Sequence, residues 1–257
     1  MNRITQLFQQ KSNNILNIYF TAGFPALQDT MTILTALEQS GADIAEIGMP
    51  YSDPVADGET IQESNHQALL NGMSLKTLFE QLAGMRKILS IPVVLMGYIN
   101  PVIQFGIENF CQKCQEVGVD GLILPDLPMD EYLAEYKPVF DKYGLLNIFL
   151  ITPQTTEDRI RRIDGNSEGF IYMVSSASIT GSTSGITPQM EAYFERVNNM
   201  NLRNPRLIGF GIKDNETFSK ACEFAQGAII GSQFIRVLQN AQNLSNDIAA
   251  YVASVRG

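Results

Sequence analysis

The sequence predicts one (β/α)8 barrel domain over residues 1–257, and three observations predict it. The length of 257 residues suits an α/β barrel, which takes about 250. Eight short aliphatic or β-branched runs recur along the chain, separated by stretches of helical periodicity. No linker or low-complexity segment divides them. The runner-up, an open doubly wound sheet, usually carries a glycine-rich dinucleotide fingerprint after its first strand. Here that position reads Thr21-Ala22-Gly23-Phe24-Pro25, which lacks it.

The elements follow in order. Residues 1–14 are polar with scattered Ile4, Leu7 and Phe8, an amphipathic turn or two of extra N-terminal helix rather than a signal peptide. The strand runs are Ile15–Phe20, Ile44–Ile47, Val93–Met96, Gly121–Leu124, Leu146–Ile151, Phe170–Val174, Arg206–Gly209 and Ala228–Ile230. None alternates cleanly, as expected of parallel strands covered on both faces. Helical spacing marks Asp29–Ser40 and Ser74–Leu89, and Gly41, Gly118 and Gly144 stand where helices end before the next strand. Thr155-Thr156-Glu157-Asp158, after Pro153, reads as a helix start with an N-cap threonine and first-turn acids. The connections from Met49 to about Met73 and from Ser175 to about Pro188 are longer than the rest. Both leave the C-terminal ends of their strands, the face where barrel enzymes keep their chemistry.

Composition narrows the function. A formal charge of −9 argues against nucleic acid and anionic membranes as partners. An apolar content of 45% supplies a core, and no run approaches the roughly 18 apolar residues of a membrane span. Three cysteines without a signal segment suit a reducing cytoplasm. Cys111 and Cys114 form a C-x-x-C with no second pair, and His66 is the sole histidine, so we assign no metal site.

The most informative segment is Ala45 to Gly58, AEIGMPYSDPVADG. Glu46 interrupts an apolar strand, and the following loop carries Asp53 and Asp57. A carboxyl walled by apolar residues and another on a polar loop can be driven to different pKa values, which divides acid from base. The competing reading is a strand-end glutamate capped by amides, with aspartates that only make turns. Gly209-Phe210-Gly211 and Gly231-Ser232, at the ends of strands 7 and 8, suit close approach of a phosphate to backbone N–H groups. Thr180-Gly181-Ser182 can add a third side. The strand runs contain no lysine for a Schiff base and no histidine cluster for a metal. Proton transfer by carboxyls remains, acting on a substrate that carries its own electron sink.

These residues, with Phe20-Thr21-Ala22-Gly23, LMGYINP at Leu95–Pro101, GFIYMVS at Gly169–Ser175 and ITG at Ile179–Gly181, resemble the tryptophan synthase α chain family over essentially the whole length. The resemblance implies a (β/α)8 lyase that cleaves indole-3-glycerol phosphate to indole and glyceraldehyde 3-phosphate. It implies no cofactor on this chain, and an α2β2 complex with a β chain that carries pyridoxal phosphate. By motif it gives Glu46 as the general acid/base and Asp57 as the carboxylate at the indole N–H. Tyr19, Tyr172, Thr180 and Phe210 fall at substrate-contacting positions, and Gly181, Gly211, Gly231 and Ser232 at phosphate positions. Pro50, Asp53, Asn100 and Pro128 lie in segments that match the partner interface. Two departures stand out: Ala45 replaces a larger aliphatic residue, and Ser178 precedes Ile-Thr-Gly where many members carry glycine. The alternatives are another phosphate-binding barrel, a stand-alone indole-forming lyase, or an idle homologue that only activates a β-type partner.

Overall fold

The computed structural model describes residues 1–175, 187–209 and 211–257. Its strands are β1 (Ile15–Thr21), β2 (Ile44–Gly48), β3 (Val93–Met96) and β4 (Gly121–Ile123). The fifth, β5, comes as two segments, Leu146–Asn147 and Leu150–Ile151. The rest are β6 (Ile171–Val174), β7 (Arg206–Gly209) and β8 (Gly227–Ile230). All pair in parallel. The first half of β5 pairs with β4 and the second half with β6, so the ring closes through a strand that changes partner midway. Hydrogen bonds from Ile148 N–H to the Leu122 carbonyl (2.9 Å) and from Tyr172 N–H to the Phe149 carbonyl (3.0 Å) carry the ladder across that change. The result is the (β/α)8 barrel that the pattern predicts.

Every residue of β1 and β2 is buried, because one face meets the barrel interior and the other the helix layer. The interior holds Ile15, Ile44, Val94, Ile123, Leu146, Ile148, Phe170, Leu207 and Ile229. Ile4 and Phe8 of α1 (Arg3–Gln10) close the N-terminal end, with the Phe8 and Phe170 rings 5.9 Å apart. Side-chain alternation along a strand then points Asn17 and Tyr19 inward on β1, and Glu46 inward on β2.

The first helical stretch forms as read, α2 spanning Thr30–Gln39. Two other expectations are corrected. The long connection after β2 is only partly loop, since it contains α3 (Glu59–Leu70). Its buried face includes Ser64 and Asn65, which weakens an apolar-periodicity signal. The predicted helix Ser74–Leu89 ends early: α4 spans Leu75–Leu82, and Gly84, at φ +80°, turns the chain into a 3-10 turn at Met85–Lys87. A left-handed residue cannot continue a right-handed helix. Of the two threonines at the expected helix start, Thr156 caps the helix Glu157–Asn166, its side chain accepting from Arg159 N–H. Gly118 and Gly144 end their helices in left-handed conformations.

Candidate active site at the barrel mouth

Glu46 sits inside the upper barrel at 0% exposure, in register with Tyr19 on β1 and Val94 on β3. One carboxyl oxygen, Oε2, accepts from Asn17 Nδ2 at 2.7 Å; the other, Oε1, is buried without a hydrogen-bond partner among the described residues. Burial pushes its pKa up to about 8, against the opposing hydrogen bond from Asn17. A carboxyl removed from water and given no cation keeps its proton at neutral pH. The environment therefore makes Glu46 a neutral acid, not a capped carboxylate.

Asp57 lies on the loop between β2 and α3 and is half-buried. Burial pushes it up to about 6, and the hydrogen bond from Tyr98 pulls it down. The Tyr98 hydroxyl donates to Asp57 Oδ2 at 3.2 Å and accepts from Ala56 N–H at 3.0 Å. At pH 7 the two carboxyls thus stand in different states, Glu46 mostly protonated and Asp57 mostly ionised. A separation of this kind divides acid from base between two like residues.

Tyr19 and Tyr172 complete the wall, both nearly fully buried. Burial raises both phenols, and the carboxyl groups of Glu46 and Asp57 add to the shift in each. Gly48 and Gly209 make room for the hydroxyls: a Cβ at Gly48 would collide with the Tyr19 hydroxyl, and one at Gly209 with that of Tyr172. Tyr19 lies 3.4 Å from Thr21 Oγ1, which meets Ser64 Oγ at 2.6 Å; Ser64 in turn donates to the Ile61 carbonyl at 2.8 Å.

The glycines after β7 and β8 stand at the same end. Gly211 has φ +78° and open space where a Cβ would project, while Gly231 lies beside the Tyr19 ring and precedes the helix Ser232–Gln239. Ser232, at the helix start, is exposed. Thr180, Gly181 and Phe210 fall outside the described residues. Of the segments assigned to a partner, Pro50 is half-buried; Asp53 and Pro128 are exposed on the loops after β2 and β4, and Asn100 is exposed in the helix Ile99–Phe105 after β3. Asn100 Nδ2 donates to the Tyr51 hydroxyl at 3.2 Å, and the Tyr51 and Tyr98 rings lie 5.3 Å apart. Val55 is 77% exposed on the same loop as Asp53.

Away from the mouth, Cys111 and Cys114 face the core from the helix Ile107–Val117. Burial pushes the Cys111 thiol up to about 12. His66 is exposed on α3. Sequence reasoning missed Asn17 and underused Tyr98. The signal for Asn17 was available, since an amide inside an apolar strand is as costly a choice as a carboxyl.

Fold and site together define a class: a (β/α)8 barrel whose mouth gathers two carboxyls in different ionisation states against a wall of tyrosines. Within that class, the family model described as tryptophan synthase alpha chain matches residues 5–256, and the chain belongs to that family, a group of lyases of tryptophan biosynthesis. It is 56% identical over 256 residues to the tryptophan synthase alpha chain of Christiangramia forsetii, covering 100% of this chain and 99% of the relative. The alpha chain of Flavobacterium johnsoniae is equally similar, at 56% over 256 residues, covering all of both chains. Among solved structures, tryptophan synthase subunit alpha from Legionella pneumophila superposes with a TM-score of 0.90 at 32% identity, covering 100% of this chain and 97% of that one. Tryptophan synthase from M. tuberculosis in an aminoacrylate-bound form gives 0.86 at 26% identity, covering 99% and 98%.

Proposed function

We propose that this chain, working as one barrel domain, cleaves the carbon–carbon bond of indole-3-glycerol phosphate to release indole and glyceraldehyde 3-phosphate. The observation that carries the reading is Glu46: a fully buried carboxyl with one oxygen free of partners and a pKa of about 8. Such a group can give its proton to indole C3, which turns the ring into an iminium-like electron sink. The carboxylate left behind takes the proton of the side-chain hydroxyl as the bond breaks, and Glu46 is restored. Asp57, mostly ionised at pH 7, accepts the indole N–H and stabilises the positive charge that develops there. Tyr19 and Tyr172 pack the ring, with Thr180 and Phe210 assigned to the same substrate by motif. Gly181, Gly211, Gly231 and the helix start at Ser232 take the phosphate through backbone N–H groups.

The chain needs no cofactor of its own in this reading. Its partner is a tryptophan synthase β chain carrying pyridoxal phosphate, in an α2β2 complex in the cytoplasm. The similarity to M. tuberculosis tryptophan synthase, solved in an aminoacrylate-bound form, supports a pyridoxal-phosphate partner. The exposed Asp53, Val55, Asn100 and Pro128 around the mouth support where it docks. Among the described residues no helix is long and apolar enough to cross a membrane. Docking on the loop from Pro50 to Asp57 would hold Asp57 in its productive pose, and positioning of that kind can change a rate about a hundredfold.

The test is a titration of purified β chain at fixed chain concentration, reading indole release and sedimentation together. We expect slow cleavage alone, a large rise in turnover on addition, and a co-sedimenting complex. Cleavage without complex or activation would favour a stand-alone lyase. Complex formation with activation of the β chain but no cleavage would favour an idle activator.

A further inference from the structure

We propose that Asn17 is a positioning residue for Glu46: its amide binds Oε2 and leaves Oε1 as the oxygen that meets the substrate. The inference rests on the proposed role of Glu46 and goes beyond it, to the identity of the reacting atom and the residue that selects it. Asn17 lies on β1 in register with Ile44, one inward step below the pairing of Tyr19 with Glu46. Both side chains are 0% exposed, and Asn17 Nδ2 reaches Glu46 Oε2 at 2.7 Å. The surrounding interior layer is aliphatic, with Ile15, Ile44, Val94 and Ile229.

Nothing in packing asks for an amide there. An aliphatic side chain would fill that layer without burying polar atoms, and Asn17 leaves its own Oδ1 unpartnered. What the amide does supply is a fixed donor on one oxygen of a carboxyl that has no other hydrogen-bond partner among the described residues. Because Oε2 is committed as an acceptor, the proton of the neutral acid resides on Oε1. That oxygen is buried, has no hydrogen-bond partner among the described residues, and belongs to an inward-facing side chain in register with Tyr19.

The same contact sets the direction of titration. An N–H donor favours the ionised carboxyl, so removing it makes Glu46 harder to ionise. Among the described residues, the titratable groups at the mouth around Glu46 are Tyr19 from β1, Tyr172 from β6, Asp57 from the loop after β2 and Tyr98 from the loop after β3. Burial keeps the three phenols neutral through the working range, so Asp57 is the neighbour that changes charge alongside Glu46. A donor lost from an ionised group moves its titration by about one pH unit.

The experiment is 13C NMR of the full chain labelled at glutamate carboxyls, with the Glu46 resonance identified by its loss in Glu46→Gln. The titration midpoint is compared in wild type, Asn17→Leu and Asn17→Ser, and the alkaline limb of the pH–rate profile for indole release is measured in parallel with β chain present. We expect Asn17→Leu to raise the midpoint and the alkaline limb together by about one pH unit, with KM little changed, and Asn17→Ser to shift both less. Asn17→Ser keeps a smaller donor and reads the effect independently if the leucine variant fails to fold. An unmoved or lowered midpoint in whichever variants fold overturns the assignment of Asn17. The midpoint is read without substrate, so wild type that titrates as expected but releases no indole would instead overturn the proposed reaction.

Discussion

At the floor of the barrel, Asp120 takes Arg3 at 2.9 Å, Arg86 at 2.6 Å and the Val93 N–H at 2.9 Å. At the mouth, Glu46 has a single neutral amide. Asp43, also at the floor, receives Lys11 at 2.7 Å and Arg256 at 2.6 Å, tying the end of α1 and the C-terminal helix Leu244–Arg256 to the strand ends. Asp57 at the mouth has a tyrosine. One fold thus treats four carboxyls in two ways. Where the chain must be held together, charge is neutralised by charge. Where chemistry is proposed, burial proceeds without a cation, which leaves protons that can move.

Breaking the floor should give the largest loss of stability. Asp120→Ala leaves Arg86 partly buried without its carboxylate and strands the Val93 N–H. Removing one member of a buried pair costs about 3–5 kcal/mol. For a chain of this size that lowers the thermal midpoint by about 10 °C, and calorimetry should find the effect with Tyr19, Glu46 and Asp57 untouched. A drop no larger than that of an exposed pair such as Lys113–Glu116, whose side chains are 42% and 45% exposed, would place the floor's strength elsewhere.

The mouth should respond in the opposite sense. In the folded chain Glu46 keeps its proton up to about pH 8, whereas unfolded it ionises near 4.5. Between those values the folded state binds more protons, so this group's contribution is full below about 4.5 and is lost as pH rises through 8. Asp57 acts in the same direction over a narrower window, from 3.8 to about 6. Glu46→Gln should therefore melt above wild type at pH 8 and converge with it by pH 4. Parallel stability curves across that range would mean that burial of Glu46 costs nothing.

Much of this contrast was legible in the sequence, and the illegible parts have physical reasons. The eight strands stand out because parallel strands buried on both faces read as unbroken aliphatic runs, and β3 and β7 match their expected limits. The break at Gly84 was hidden because its left-handed backbone falls inside otherwise helical spacing. Glu46 stands out because a carboxyl beside Ile44 and Ile47 violates the local pattern, whereas Asp57 is singled out by its place in the loop motif that follows. The floor network was not found, since Arg3, Arg86 and Asp120 meet across more than a hundred residues of chain and nothing local marks them. Asn17 obeyed the same rule as Glu46 and could have been singled out with it. Thr180, Gly181 and Phe210 rest on motif alone, because they lie outside the described residues.

The central claim is that a buried, protonated Glu46 moves the protons of carbon–carbon cleavage. The most direct measurement is indole release from indole-3-glycerol phosphate by Glu46→Gln beside wild type, each saturated with β chain, from pH 5 to 9. Wild type should give a bell limited near pH 6 by Asp57 and near pH 8 by Glu46. Glu46→Gln should fold, bind the β chain and lose about 10²–10⁴-fold in turnover at every pH. Turnover within a few-fold of wild type, with the alkaline limb still near pH 8, would contradict the assignment of Glu46 and move the proton transfer to another group.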